Sequence, residues 1–480
     1  MPEYEAVIGM EVHSELLTES KMFCGCKNAF GGEPNTRCCP VCLGLPGALP
    51  VMNRKAVEHV IRTALALNCT ITRNAKFDRK NYFYPDLPKG YQISEYDLPI
   101  GEAGYLDIEV DGKPKRVHIR RVHLEEDTGK LDHVMGDESE VDYNRSGVPL
   151  MEIVTEFPPD LHTAEEARAY LTKLRSILTY VGVTDGKMEE GSIRCEPNLS
   201  VRIKGSETFG TKTEIKNLNS FRAVYRGTEY EIERQIGLLE RGEKVLQETR
   251  GWNDTKGQTF PQRTKEEAHD YRYFPEPDLV PLDISDEWID EIRRTMPELP
   301  DAARVRFVDQ YGLPEYDAGV LTQTRASAQF FEEAARLSGD PKATSNWIMG
   351  EFARLLNANN LEVADSKIKA EHIAGLIGLI ADGTISSKMA KGLFEKMFET
   401  GEDPRQLAES EGPQISDASA LSAIIDQVIN EQGAVWQALV GGDDKKMGYF
   451  VGQAMKASSG KANPPEINRL LKERLDRERS

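Results

Sequence analysis

Four thiols and a scattered set of acids hold most of the chemistry open to this chain. Cys24, Cys26, Cys39 and Cys42 make two close pairs, with twelve residues between Cys26 and Cys39. Two such pairs can place four thiolates tetrahedrally around Zn²⁺. Five of the seven cysteines lie between Cys24 and Cys42, a clustering that favours metal over disulfides. Cys38 could substitute for a neighbour, but Cys39-Pro-Val-Cys42 has the usual knuckle spacing. Four thiolates leave no open position, so this zinc is expected to brace the fold rather than react. Cys69 and Cys195 stand alone and read as buried thiols. Among the acids, Glu11, His13 and Glu15 are two apart, which puts them on one face of a strand. His123, Glu125 and Asp127 repeat that spacing, Glu196 precedes Pro197, and Glu214 lies in Lys212-Thr-Glu-Ile-Lys216. Carboxylates with an imidazole suit a hard divalent cation such as Mg²⁺ holding phosphate oxygens. A single strand-face glutamate usually does nothing, so this reading requires the strands to converge.

A second cluster runs from Asp78 to Glu95. It carries Tyr82, Phe83, Tyr84 and Tyr91 beside Arg79, Lys80 and Lys89, with Pro85, Pro88 and Gly90 as breakers. Aromatic rings and cations on a loop suit stacking on a base and holding a phosphate, and they also suit plugging a neighbouring core. Gly205-Ser-Glu-Thr-Phe-Gly210-Thr-Lys212-Thr213 imitates a phosphate-binding loop. Thr211 breaks the Gly-Lys contact that such a loop needs.

The elements that must position these residues follow from periodicity. Tyr4–Leu16, Arg116–Glu126 and Leu199–Ile203 read as strands, whereas Thr163–Tyr180, Ser220–Glu240 and the stretch around Val57, Val60, Ile61, Ala64 and Leu65 read as amphipathic helices. The Pro-rich passage Tyr273–Pro281 ends this mixed region. Beyond about Ser285 the pattern is helical, with stripes at Ile373, Leu376, Ile377 and Ile380 and at Leu421, Ile424, Ile425, Val428 and Ile429. Breakers at Gly401–Pro404 and Glu411–Pro413 mark a further boundary. The expected fold class is α+β: a mixed-sheet body over 1–292, a helical domain over 293–405 and a small helical tail over 406–480.

With 39% hydrophobic and 29% charged residues, the chain reads as soluble and globular. It has no apolar run long enough to span a membrane, and the N-terminus does not have the pattern of a signal peptide. The expected location is cytoplasmic. A formal charge of -19 argues against nonspecific coating of nucleic acid. The stretch 445–480 is the exception, with nine Lys+Arg against four Asp+Glu, the charge of an RNA-facing tail or of a solvated helix.

Long ordered segments resemble one family, the B subunit of the tRNA-dependent amidotransferase acting on Asp-tRNA(Asn) and Glu-tRNA(Gln). They are Ile8–His13, Phe77–Pro85, Tyr91–Ser94, Glu125–Gly129, Lys187–Ser192, Lys216–Ser220, Asp270–Asp278, Ser345–Trp347 and Val451–Ala457. The resemblance implies a cradle-shaped catalytic body, a helical domain and a tRNA-binding tail. It implies a heterotrimer with a glutaminase A subunit and a small C subunit. This chain would use ATP to phosphorylate the side-chain carboxylate of the misacylated amino acid, and ammonia from the A subunit would displace the phosphate. By residue matching, Glu11, His13, Glu125 and Glu214 would hold the catalytic Mg²⁺. Glu126 and Glu196 are further cofactor-binding candidates, and Lys80 would help line the passage that delivers ammonia. On this reading the Asp78–Glu95 loop lies beside the amidation site. The chain lacks the Ser-Ser-Lys chemistry of an amidase-type glutaminase, in keeping with that activity residing elsewhere. The competing reading is a non-catalytic, zinc-stabilised subunit that presents tRNA to a partner enzyme. Convergence of the acids separates the two, because a pure binder has little use for them in one place.

Overall fold

The computed structural model describes residues 3–133, 138–264, 268–411, 415, 417–458 and 461–479. The chain divides into two compact units, Met1–Leu299 and Pro300–Ser480. The first is built on a mixed twelve-stranded sheet and the second is helical, so the class is α+β.

In the first unit the sheet runs Gln258–Thr264, Glu248–Asn253, Thr213–Lys216, Ile193–Ile203, Tyr4–Glu15, Pro149–Thr155, Lys113–Glu126, Tyr91–Ser94, Asp78–Asn81 and Phe274–Pro275. Neighbours are antiparallel except Thr213–Lys216 with Glu248–Asn253, which are parallel. Strand Gly101–Val110 also pairs with Lys113–Glu126, through the two-residue turn Asp111-Gly112. Both turn residues have positive φ (52° and 70°), the geometry in which Asp-Gly matches the twist of a hairpin.

The central strands separate two chemistries by period two. In Tyr4–Glu15, residues Ile8, Met10 and Val12 are fully buried, while Glu11, His13 and Glu15 face the other way. Each buried aliphatic side chain contributes about 1.5–3 kcal/mol relative to exposure, so one face supplies cohesion and leaves the other free for charges. The buried face is covered by three helices. Arg54–Ala66 packs on Lys113–Glu126, and Phe221–Glu240 packs on Ile193–Ile203 and on Ala164–Tyr180. Each starts at a side-chain cap that accepts backbone N–H bonds: Asn53, Ser220 and Thr163. Of the expected stripe, Val57, Val60, Ile61 and Ala64 are buried and Leu65 is partly buried. Helix Asp286–Arg294, capped by Ser285, adds Ile289 and Ile292 to this same core.

Among the described residues, the helical unit has two separate hydrophobic clusters. One centres on Phe307, Phe331, Phe352 and Phe394 and includes Ala408 of helix Pro404–Glu411. The other joins Leu421, Trp436, Phe450, Ile467 and Leu471. Of the expected stripes, Ile373, Leu376 and Ile377 are buried in the first, and Leu421, Ile425, Val428 and Ile429 in the second. Ile380 and Ile424 are only partly buried at the edges.

Candidate active site

The polar face of the sheet forms the floor of an open cleft of about 1630 Å³. Strand register shows how it is assembled. Arg194, His13, Glu152 and His123 face one another across four neighbouring strands. Two residues further along, Glu196 faces Glu11. One more step brings Asn198 opposite Glu214. The period-two reading therefore holds, and the strands do converge.

The acids gather into two groups, each with its ligand atoms within 4.8 Å of one another: His13, Glu125 and Glu152, and Glu11, Glu196 and Glu214. The four residues matched to one cation are thus divided between successive rungs of the sheet. In the first group His13 Nε2 lies 3.6 Å from Glu125 Oε1 and 3.8 Å from Glu152 Oε2. His123 Nε2 lies 3.0 Å from Glu152 Oε2 and 3.5 Å from Glu125 Oε2, and Ser94 Oγ donates to Glu125 Oε2 at 3.0 Å. Burial opposes the charges of His123, Glu125 and Glu152, and their partners outweigh it. Glu152 raises the buried His123 imidazole to about 9, with Glu125 adding to the effect. His123 and Lys80 hold Glu125 below the usual carboxylate range, and His123 and His13 hold Glu152 well below it. Both carboxylates are therefore ionised at neutral pH.

In the second group Asn198 Nδ2 donates to Glu11 Oε1 at 3.0 Å, Thr249 Oγ1 donates to Glu214 Oε2 at 2.7 Å, and Lys216 pairs with Glu196 at 2.8 Å. Thr249 is buried on the neighbouring strand, opposite Glu214. Polar groups that orient carboxylates in this way fix the direction of their lone pairs.

Cations line the same cleft. Lys80 Nζ sits 4.8 Å from the centre of the Tyr271 ring. Burial opposes its charge, but Glu125, with the nearby Tyr273 and Tyr82, raises its pKa. Arg121, Arg145, Arg194, Lys212 and Lys216 are also exposed to the cleft. Asp127 pairs with Arg194 at 2.5 Å and with Arg145 at 3.6 Å. Burial and Asp127 raise the nearby Glu15 carboxyl to about 7.

Glu126 is not brought to this face. It accepts from Ile93 N at 2.9 Å and pairs with Lys89 on the opposite side of the strand, because adjacent strand residues point opposite ways. Spacing placed His123 on the face of Glu125 without giving it a role, and it gave no indication of Glu152 or Thr249. A lone glutamate within the apolar run Pro149–Thr155 was the available signal for Glu152.

The segment Asp78–Glu95 is a hairpin. Strands Asp78–Asn81 and Tyr91–Ser94 pair, and 82–90 forms the connecting loop. Arg79 anchors it through Glu276 at 2.7 and 2.9 Å. Tyr82 packs edge-on to Tyr271, while Phe83 is 85% exposed at the cleft. Gly90 has φ 76°, and a Cβ there would come within 3.0 Å of the Phe83 ring. The segment around Gly205–Lys212 leads into strand Thr213–Lys216, not into a helix, so it lacks the helix N-terminus of a phosphate-binding loop.

A family model described as the GatB/GatE catalytic domain matches residues 6–290, and a second, described as the GatB domain, matches 329–475. The chain belongs to the family of the aspartyl/glutamyl-tRNA(Asn/Gln) amidotransferase B subunit. It is 57% identical over 476 residues to the family member of Thermoanaerobacter sp. (strain X514), covering 99% of this chain and 100% of the relative. The Moorella thermoacetica relative is 58% identical over 477 residues, with 98% and 100% covered, and that of Carboxydothermus hydrogenoformans is 55% identical over 480 residues, with 99% of each covered. The resemblance in the motifs therefore extends through both units of the chain.

The four cysteines expected at a metal also come together, with their Sγ atoms within 4.8 Å of one another, and Cys38 stays outside the group. Cys39 N–H donates to Cys42 Sγ at 3.1 Å. Cys24 and Cys42 share a hydrogen bond that lowers the Cys42 thiol to about 4 and raises that of Cys24. Among the described residues, no helix is long and apolar enough to cross a membrane.

Proposed function

We propose that this chain is the amidating subunit that converts Glu-tRNA(Gln), Asp-tRNA(Asn) or both to the amide form. The observation that carries the reading is the convergence of two acid groups and several cations on one sheet face. The cleft volume supports it. Sites for one small ligand occupy about 300–1,000 Å³, and this cleft, at about 1630 Å³, has room for a nucleotide beside an aminoacylated 3′ end.

The donor sets, carboxylate oxygens with one imidazole, fit Mg²⁺. His13, Glu125 and Glu152 would hold one ion, and Glu11, Glu196 and Glu214 a second. Bound with ATP, Mg²⁺ supplies neutralisation of phosphate charge during in-line transfer. The protein's own residues prepare that step. Ser94 and His123 fix Glu125, Asn198 fixes Glu11, and Thr249 fixes Glu214. Lys80, Arg121 and Arg194 face the cleft, where the substrate carboxylate and the transferring phosphoryl group carry negative charge. A carboxylate is a poor acyl donor. Phosphorylation gives it a leaving group, ammonia forms the new C–N bond, and inorganic phosphate departs. Lys80 and the Tyr82–Tyr271 pair line the wall where ammonia would meet the acyl phosphate.

The proposed assembly is a cytoplasmic heterotrimer with a glutaminase A subunit and a small C subunit, with zinc at the four cysteines in a structural role. The assembled complex, given ATP, Mg²⁺ and a misacylated tRNA, is expected to form the amide with either glutamine or ammonium chloride as nitrogen source. tRNA binding without ATP consumption or amide formation would support the presenting subunit instead.

Two further outcomes follow. Thr249→Val keeps the side-chain shape and removes the donor to Glu214. The Mg²⁺ concentration for half-maximal amidation should rise about 10-fold while glutamine hydrolysis is unchanged, and an unaltered Mg²⁺ demand would reduce Thr249 to a packing residue. In the tail, Arg469, Arg474 and Arg479 are paired internally with Glu466, Glu478 and Asp444. Lys445, Lys446, Lys456 and Lys472 are exposed. Helix Pro404–Glu411 belongs with the middle cluster, so the truncation that spares that core removes residues after 411. It should raise KM for misacylated tRNA roughly 10- to 100-fold by losing phosphate contacts, with glutaminase activity kept; an unchanged KM would remove the tail from RNA binding.

A further inference from the structure

Lys21 is fully buried. Its ammonium has two polar neighbours, Tyr143 O at 3.2 Å and Cys42 Sγ at 3.9 Å. Among the described residues it has no carboxylate ion partner, unlike the neighbouring Lys89, which pairs with Glu126. Removing an ammonium from water costs several kcal/mol unless an opposite charge compensates. One carbonyl dipole and one sulfur at 3.9 Å are weak compensation for a residue with no exposure at all.

A zinc ion held by four thiolates carries a net charge of -2. Its Cys42 sulfur would lie against Lys21 and would also receive the Cys39 N–H. We propose that Lys21 is the built-in counter-cation of the tetrathiolate centre, holding its charge inside the fold and lowering the reactivity of the Cys42 sulfur. The proposal rests on the zinc reading above. Donors to a thiolate sulfur withdraw electron density from it, which makes the sulfur a weaker nucleophile and a less readily protonated ligand.

The location gives this pairing a wider role. The Lys21 ammonium holds the carbonyl of Tyr143, Met22 N donates to Gly147 O at 2.7 Å, and Ser146 Oγ donates to Cys42 O at 3.4 Å. The same loop carries Arg145, which bonds Thr128 O and Gly129 O at the cleft. Knuckle and cleft thus share one short loop, and Lys21 joins them on the knuckle side.

The test compares wild type, Lys21→Met and Lys27→Met in the assembled complex. Lys27 is an exposed lysine of the same knuckle and controls for general charge. Measured are zinc content, zinc release to a chromophoric chelator, alkylation of Cys42 by iodoacetamide, and the thiolate-to-metal charge-transfer band after Co²⁺ substitution. Wild type should hold about one zinc. Lys21→Met should release it and be alkylated at least about 10-fold faster, with the Co²⁺ band shifted to lower energy, and Lys27→Met should match wild type. If wild type holds no zinc, the zinc reading itself fails. If wild type and Lys21→Met hold it equally well, with the same alkylation rate and the same band, the counter-cation is refuted. Should Lys21→Met not fold, amine labelling of wild type replaces it. Lys21 is expected to be protected with zinc and labelled after chelation while Lys89 stays protected; labelling of Lys21 that ignores zinc would refute the proposal.

Discussion

Glu125→Gln is expected to abolish ATP-dependent amidation, by about 10³-fold or more, while leaving glutamine hydrolysis by the assembled complex in place. The substitution keeps size and shape and removes one charge. That charge lies where the site is most densely connected: Glu125 receives the Ser94 hydroxyl, faces His13 and His123, and sustains the charge of Lys80. Losing one preorganised charge-stabilising group commonly costs about 10²–10³ in rate, and here the same carboxylate is also a candidate Mg²⁺ ligand. Glu152 still pairs with His123 at 3.0 Å, so the imidazolium keeps a partner and the fold should survive. Single-turnover formation of phosphorylated Glu-tRNA(Gln), followed with γ-labelled ATP, isolates the step. Wild-type phosphorylation by a folded Glu125→Gln complex would remove Glu125 from the metal site and favour the presenting-subunit reading.

The parts of this site that were legible in the sequence were those governed by a short period. Alternation set Glu11 and His13 on one face, and His123 and Glu125 on another. The same rule, applied one residue further, separates Glu126 from Glu125, and Glu126 does face Lys89 on the far side. Cysteine spacing located the four-thiol group because its two pairs are local. What spacing could not supply was register. Glu152 joins His13 and His123 only because Pro149–Thr155 lies between their strands, and its apolar neighbours make the segment read as core. Thr249 reaches Glu214 through a parallel pairing between segments over thirty residues apart. Helical stripes and caps were visible because a helix is a local object. Helix Pro404–Glu411 was harder to allot, since its side of the boundary depends on where Ala408 packs.

Glu95, the last residue of the Asp78–Glu95 segment, carries the second large effect, on stability against pH. It is 1% exposed. Its Oε2 accepts Ile100 N at 3.1 Å and Leu124 N at 3.0 Å, and Oε1 has no hydrogen-bond partner among the described residues. Burial raises its carboxyl to about 8, against the pull of the Leu124 N–H, the facing His123 and the Ile100 N–H; the nearby Asp78 pushes in the same direction as burial. The ordinary value for such a group is 4.5. Between these two values the folded chain keeps a proton that the unfolded chain has lost, so stability falls as pH rises through this window. The whole effect is several kcal/mol, roughly 5 at most. Glu95→Gln stays neutral and removes this part of the slope. Its unfolding midpoint in urea should fall less between pH 6 and pH 9 than that of wild type, the remainder coming from groups such as Glu15 and His123. At pH 9 the variant should therefore be the more stable protein. Parallel curves for the two would show that Glu95 does not titrate in this window. Because Glu95 ties the hairpin to the strand at Leu124, next to Ser94 and Glu125, the alkaline loss in wild type should reach amidation before it reaches glutamine hydrolysis.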